Sequence, residues 1–189
     1  EEVDCEANKA VALQASRESI VLLKNNNNTL PLNASSIKRI AVCGPNANDG
    51  SYALLHYGPL AVEVTTVLDG IKEKMKGKAE VLYTKGCDLV DANWPESEII
   101  DYPLTTDEQT EIQKAVENAN QSDVAVVVLG GGQRTCGENK SRSSLDLPGR
   151  QLDLLKAVQA TGKPVVLVLI NGRPLSINWA DKFVPAIVE

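Results

Sequence analysis

The sequence has little histidine, and its cysteines lack the spacing of a metal site. One histidine occurs among 189 residues, and the four cysteines form no C-x-x-C pair. Structural zinc is held by closely spaced cysteine and histidine ligands, so no metal site is predicted. Cys43 ends an apolar run, which favours a buried free thiol over a disulfide partner.

Basic residues and long apolar runs are also scarce. The chain has 19 Lys and Arg against 25 Asp and Glu, for a formal net charge of −6. A nucleic-acid surface needs net positive charge to displace counterions from phosphates. No stretch reaches the ~18 apolar residues of a membrane-spanning helix, and the acidic first residues are unlike a signal peptide. We therefore predict no binding to nucleic acid or membrane.

What remains is the composition of an ordinary globular domain. Apolar residues make up 43% of the chain and charged residues 23%, which are near-average values. A length of 189 residues suits one hydrophobic core. We interpret residues 1–189 as a single domain. Residues 184–189 predict a buried strand that simply stops, so we expect this domain to be part of a longer protein.

Strand and helix patterns alternate along most of the chain. A helix followed by a buried strand over residues 19–23 is predicted first, and Thr105-x-x-Glu108 forms a capping box ahead of a later helix. Further strands are predicted at 39–43, 80–83, 123–129 and 164–170, and further helices at 66–75, from Pro148 onward and at 175–182. Nearly all-apolar strands between helices are typical of a parallel sheet covered on both faces. The sequence predicts an α/β fold, a three-layer α/β/α sandwich with a mainly parallel sheet and strand 123–129 at its centre.

Ligands of such sheets bind at the carboxyl ends of the strands, where loops 44–58, 130–148 and 171–173 are expected. Loop 130–148 lacks apolar residues in its first part and should be exposed and mobile. Its three glycines match neither GxGxxG nor GK[ST] spacing, so no nucleotide or other cofactor is predicted. Glu138 lies in the middle of this loop, with Arg134, Lys140 and Arg142 nearby. The residues alone favour a solvated acid paired with an arginine over a catalytic group.

Several longer motifs occur in a recognisable order along the chain. They are ASRESIVLLKN at 15–25, LPL at 30–32, IAVCGPNA at 40–47, Gly137-Glu138 with Arg142, LPGRQ at 147–151 and GKPVVLV at 162–168. Together they resemble the C-terminal α/β sandwich domain of glycoside hydrolase family 3, which includes β-glucosidases and β-xylosidases. The resemblance spans nearly the whole chain, which makes it more specific than any single motif.

This resemblance implies a catalytic role for Glu138. In the family, an N-terminal (β/α)8 barrel supplies an aspartate nucleophile, and the sandwich domain supplies the glutamate acid/base. Glu138 matches that glutamate, because it lies four residues before Arg142 and ahead of the Leu-Pro-Gly motif. Many members have aspartate before the arginine, where this chain has Ser141. A retaining glycosidase needs two carboxyl groups ~5–5.5 Å apart and a barrel needs ~250 residues, so the domain alone is expected to be inactive.

Other residues are implied in supporting roles. Tyr57 stands where many members have an asparagine-tyrosine pair, and His56 precedes it. We expect these two side chains to contact the sugar, with packing of the tyrosine under its own loop as the alternative. Arg142 and Arg173 are expected to support the Glu138 loop, although Arg173 could instead face solvent.

The implied partners are a glycoside or oligosaccharide substrate and the barrel domain of the same chain. A periplasmic or secreted location is expected, with a cytoplasmic one as the alternative. The residues leave the choice between glucoside and xyloside open. A second hypothesis is a non-catalytic carbohydrate-binding or interaction module with the same fold. The sequence upstream of Glu1 distinguishes the two, because only the enzyme needs a barrel.

Overall fold

The computed structural model describes residues 5–51, 64–93, 100 and 102–189. The elements of this part of the chain, in order, are α1 (Glu6–Ser19), β1 (Leu22–Asn25), a 3₁₀ turn (Asn26–Asn28), β2 (Arg39–Cys43), α2 (Val67–Met75), β3 (Glu80–Thr84), α3 (Thr106–Asn120), β4 (Val124–Gly130), α4 (Gln151–Gln159), β5 (Val165–Ile170), α5 (Asn178–Phe183) and β6 (Ala186–Val188). The predicted alternation of strands and helices is confirmed. None of the described helices is long and apolar enough to cross a membrane.

The described strands form one sheet in the order β1-β6-β5-β4-β2-β3. The pairs formed among β2 to β6 are all parallel, and β1 pairs antiparallel with β6. Strand β4 lies between β5 and β2, and all of its residues are buried. The mainly parallel α/β sheet and the central place of β4 are therefore as predicted.

The strands are apolar throughout because both faces of the sheet are covered. Successive strand residues point to opposite faces, so Val127 belongs to one hydrophobic cluster and Val126 to the other. Helices α3 and α4 bury Ile112 and Leu154 against the first face. Helix α2 buries Leu68 against the second face. Helices on both sides of the sheet make the predicted three-layer sandwich.

Local hydrogen bonds determine where the helices begin. The Thr105 hydroxyl accepts from the Glu108 N–H at 3.2 Å and the Glu108 carboxylate accepts from the Thr105 N–H at 2.7 Å, so the predicted capping box is confirmed. Thr66 and Asp69 form a second capping box at α2. Helix α4 begins at Gln151 and not at Pro148, because Gly149 has φ +58° and cannot belong to a right-handed helix. Helix α5 is likewise shorter than predicted.

The prediction of a buried strand over residues 19–23 is wrong. Strand β1 begins at Leu22 and forms an edge of the sheet, with Ile20 60% and Leu22 54% exposed. Helix α1, which precedes it, buries no residue within the described structure. Apolar composition indicates that a segment can be buried, but burial also needs a covering element, and the described residues provide none here.

Cys43 and Cys87 are buried in the core as free thiols. Burial raises the pKa of Cys43 to about 12 and raises the pKa of Cys87 as well. Both groups stay protonated at neutral pH, and a thiol is nucleophilic only as the thiolate. The prediction of a buried free thiol at Cys43 is confirmed, and its role is packing.

Two glycines allow strands to end in very close contact with their neighbours. Gly130 ends β4 with φ +145°, and a Cβ atom there would lie 1.9 Å from the Ile170 carbonyl oxygen. Gly44 follows β2 with φ +110°, and its Cβ would lie 2.0 Å from the Val128 oxygen. Both positions exclude an L side chain by conformation and by space. Strands β2 and β4 are neighbours and run parallel, so the loops that follow them leave the sheet side by side.

We predict opposite effects for two glycine-to-alanine substitutions. Gly130→Ala should lower the free energy of unfolding by more than about 1 kcal/mol, because a side chain there is strained and has no room. Gly70 lies within α2, and a Cβ added there would meet no atom within 4 Å apart from the backbone of its own helix, so Gly70→Ala should stabilise by about 0.5–1 kcal/mol. Urea unfolding of both variants measures these changes. Equal effects would contradict the described close contact at Gly130.

Candidate functional site

The candidate site lies in the segment that joins β4 to α4 at the carboxyl edge of the sheet. Residues 137–140 form a turn, in which the Lys140 N–H donates to the Gly137 carbonyl at 3.2 Å. Glu138 and Asn139 occupy its two central positions, and Asn139 takes a left-handed φ of +59°, which asparagine tolerates. The Glu138 side chain is exposed at the tip of this turn.

The ion pair that the residues alone favour for Glu138 is not observed. In residues 5–51, 64–93, 100 and 102–189, no side chain forms a hydrogen bond or ion pair with the Glu138 carboxylate. The solvated salt bridge favoured by the residues alone is therefore absent from the described structure. The carboxylate projects from the sheet edge without a charge partner in this part of the chain.

The start of the loop, in contrast, is held by two buried amide side chains. The Gln151 Oε1 accepts from the Gly130 N–H at 2.8 Å, and its Nε2 donates to the carbonyls of Gly130 at 2.9 Å and Leu89 at 2.8 Å. The Asn46 Nδ2 donates to the Gly131 carbonyl at 2.8 Å. Gln151 is 0% and Asn46 2% exposed. Buried amides of this kind supply hydrogen bonds to backbone N–H and C=O groups where no neighbouring strand does so.

The next residues are anchored by a threonine. The Thr135 hydroxyl accepts from the Gly132 N–H at 2.9 Å and donates to the Gly132 carbonyl at 3.2 Å. Gly131, Gly132 and Thr135 are buried, whereas residues 137–141 are exposed. The prediction of an exposed loop is correct for the tip and wrong for the base. Thr135, Asn46 and Gln151 are site residues that the sequence motifs do not reveal, because their one signal is a polar residue inside an otherwise apolar or glycine-rich motif.

Both arginines expected to support the loop contact its backbone. The Arg173 Nη2 donates to the Lys140 carbonyl at 2.8 Å, two residues beyond Glu138. The Arg142 Nη2 donates to the Asp146 carbonyl at 2.7 Å, where the loop returns toward the sheet. Arg173 thus reaches the turn that carries Glu138 from the end of β5. Their importance for catalysis stays a prediction.

The far end of the loop is tied to α3 through Arg150. Its Nε lies 3.1 Å from the Glu108 Oε1, its Nη2 donates to the Tyr102 carbonyl at 3.0 Å, and its guanidinium lies 5.1 Å from the Tyr102 ring centroid. The pKa of Glu108 is lowered: partial desolvation acts to raise it, but hydrogen bonds from the Thr105 backbone and from Arg150 together outweigh that effect. The ion pair joins the start of α4 to the capping box of α3.

The remaining predicted site residues, His56 and Tyr57, lie outside the described residues. Across the described ranges, no group of three or more His, Cys, Asp or Glu side chains is arranged to hold a metal ion. The described site therefore offers one carboxyl group, that of Glu138, on an exposed turn. The start of the loop that carries this turn is held by hydrogen bonds.

Comparison with known proteins identifies the family. Residues 20–189 match the model of the glycosyl hydrolase family 3 C-terminal domain. A β-xylosidase of Formosa agariphila is 41% identical over 100% of this chain and 25% of its own length. A periplasmic β-glucosidase of Salmonella typhimurium is 38% identical over 94% of this chain and 24% of its own length. The chain belongs to glycoside hydrolase family 3 and corresponds to the C-terminal domain of that family.

Solved structures agree with this assignment. A family 3 β-glucosidase of Bifidobacterium adolescentis superposes with a TM-score of 0.76 at 33% identity, covering 100% of this chain and 25% of that one. The chain thus spans about a quarter of the length of the relatives it matches. The fold and family predicted from the motifs are confirmed.

We predict that Glu108→Gln lowers the free energy of unfolding at pH 7 by about 1.5–3 kcal/mol, the range for a hydrogen bond to a charged group. The folded-state pKa of Glu108 is below that of an unfolded glutamate, ~4.3. Its contribution is therefore present above that pH and is lost as the pH falls through the folded-state pKa. Urea unfolding between pH 7 and pH 3 should show the difference shrinking on acidification. Glu111→Gln, at an exposed ion pair with Lys114, is the control and should change little.

Proposed function

We propose that this chain is the acid/base domain of a retaining β-glycosidase that removes terminal β-glucosyl or β-xylosyl residues. The observation that carries the proposal is the placement of Glu138, at the tip of a turn on the carboxyl edge of the sheet, in a chain of family 3. The names of the Formosa and Salmonella relatives support both sugars equally. A sandwich that only binds carbohydrate remains the alternative.

Glu138 would act twice in the reaction. In the first step it donates a proton to the glycosidic oxygen while an aspartate from another domain attacks the anomeric carbon and the bond to the leaving group breaks. In the second step the Glu138 carboxylate takes a proton from water, which displaces the aspartate and releases the sugar with retained configuration. The two carboxyl groups need to be ~5–5.5 Å apart.

The partner in this proposal is a barrel domain in the same full-length protein. Two observations support it: the relatives are about four times as long as the chain, and α1 buries no residue of the described structure while Val11 is 69% exposed. Contact with a second domain would exclude water from the loop tip. Desolvation favours the neutral form of a carboxyl group, which is the form that a general acid requires.

The proposed location is periplasmic or secreted. The Salmonella relative is named a periplasmic β-glucosidase, which supports the proposal. Fractionation of the native cells with an antibody to this domain would test the location. Recovery from the cytoplasmic fraction would favour the alternative.

Replacing Glu138 by alanine in the full-length protein should separate substrates by their leaving groups. Hydrolysis of dinitrophenyl glycosides, which leave without protonation, should be nearly unchanged in kcat/KM. Alkyl glycosides and disaccharides, which need the proton, should lose about 10²–10⁴-fold, the contribution of a general acid. Azide should accelerate the variant on the dinitrophenyl substrate by replacing water in the second step.

Asp146→Asn is the matched control, because Asp146 is an exposed carboxylate of the same segment. It should hydrolyse both classes of substrate like the parent. An equal loss on both substrates for Glu138→Ala would mean that Glu138 is not the proton donor.

We further predict that residues 1–189 produced alone hydrolyse no chromogenic β-glucoside or β-xyloside. The reason is that a retaining reaction needs a second carboxyl group, which the proposal assigns to the barrel. Assays of the isolated domain and of the full-length protein at equal concentration test this. Turnover by the isolated domain that Glu138→Ala abolishes would overturn the requirement for a barrel.

A further inference from the structure

Asn46 has an unusual hydrogen-bonding state for a buried side chain. It follows β2 by three residues, in a turn closed by the Ala47 N–H and the Gly44 carbonyl at 3.2 Å. Its Nδ2 donates to the Gly131 carbonyl, but its Oδ1 is buried and has no hydrogen-bond partner within the described structure. Only one half of the amide is used.

Such an arrangement is a poor source of stability. A buried acceptor that has lost water without gaining a partner carries a desolvation cost, which offsets what the Nδ2 hydrogen bond contributes. A leucine has nearly the same shape as asparagine and would remove the unpaired Oδ1. Buried groups that violate the rules of polar satisfaction occur preferentially at functional sites. The question is therefore what the single hydrogen bond does.

The bond holds the carbonyl of the peptide between Gly131 and Gly132, which is the second peptide beyond the close contact at Gly130. The Gly131 N–H, which belongs to the preceding peptide, donates to the Ile170 carbonyl at 2.9 Å, and the Asn46 Nδ2 donates to the Gly131 carbonyl at 2.8 Å. Glycine lacks the Cβ that restricts other residues, so hydrogen bonds have to determine the orientation of this peptide. Gly132 then begins the turn that Thr135 closes, and the Glu138 turn follows directly.

We propose that Asn46 is a positioning residue for Glu138: its amide sets the direction in which the loop leaves β4, and so the place of the carboxyl group relative to the glycosidic oxygen. The inference rests on the proposed function of Glu138. Asn46 touches neither Glu138 nor, in this proposal, the substrate. It acts through the backbone of Gly131 and Gly132, from the turn that follows the neighbouring strand β2.

The test is Asn46→Leu in the full-length protein. The value of kcat/KM is measured on a dinitrophenyl glycoside and on an alkyl glycoside of the sugar that the parent prefers. The substitution removes one unpaired acceptor, the Oδ1, and creates another, the Gly131 oxygen. The thermal midpoint should therefore change by only a few degrees.

Activity should change in a pattern that depends on the leaving group. A misplacement of about 1 Å in a catalytic group can cost ~10²-fold. We expect a loss of about tenfold or more on the alkyl glycoside and less than about twofold on the dinitrophenyl glycoside. A loss of stability alone would lower both values by the same factor. Equal loss on both, or no loss on either, overturns the proposal.

Gln159→Met is the matched control. Gln159 is the last residue of α4, at the end of the helix opposite to Gln151. It also has a buried oxygen, Oε1, without a hydrogen-bond partner among the described residues. Removing that oxygen leaves the Glu138 loop untouched, so the ratio of the two activities should equal that of the parent. A changed ratio in this variant would show that the ratio responds to core substitutions in general, and would overturn the assignment to Asn46.

Asn46→Asp provides a second test if the leucine variant does not fold. It keeps the size and polarity of the side chain and removes the donor, so the same selective loss is expected above neutral pH. Glu138→Ala is measured in the same series. If Glu138→Ala shows no dependence on the leaving group, the proposed function fails; if it shows that dependence and neither Asn46 variant does, only the positioning role fails.

Discussion

All of the residues of β4 are buried, between β5 and β2 and under helices on both faces. A strand in this position cannot continue into solvent, because its apolar residues need cover on both sides. It ends at Gly130, where the backbone passes so close to Ile170 that no Cβ atom fits. The place and direction of the following loop depend on this ending. The candidate catalytic group is thereby carried by a loop that follows a fully buried strand.

The loop combines a rigid base with an exposed tip. Gln151, Asn46 and Thr135 hold the backbone of residues 130–135, while Glu138 projects without a charge partner in the described structure. Arg173 reaches the tip through a hydrogen bond to the Lys140 backbone carbonyl. This arrangement suits the role proposed for Glu138. The hydrogen-bonded start of the loop fixes the position of the turn, while the carboxyl group at the tip is accessible. The residues next to Glu138 in the sequence therefore give little information about its role, because the groups that hold the loop come from distant segments.

Prediction of the site from the sequence was uneven for a physical reason. Glu138 was found through motif resemblance, and the residues around it would have led to an ion pair that the described structure lacks. The amides of Asn46 and Gln151 were not found. Their partners are backbone groups 85 and 21 residues away in the chain, and a contact of that kind leaves no periodic pattern. The contact of Arg173 with the Lys140 carbonyl is of the same type.

The sequence by itself determined the elements whose cause is local or periodic. The strand at Arg39–Cys43 and the capping box of Thr105 and Glu108 follow from apolar runs and from side chains three residues apart. Tertiary structure decided which apolar segments are covered, so β1 is exposed although its residues resemble those of the core. It also decided how the loop leaves β4, since the hydrogen bonds that join Gln151 of α4 to Gly130, and Asn46 in the turn after β2 to Gly131, exist only once the sheet has brought distant segments together.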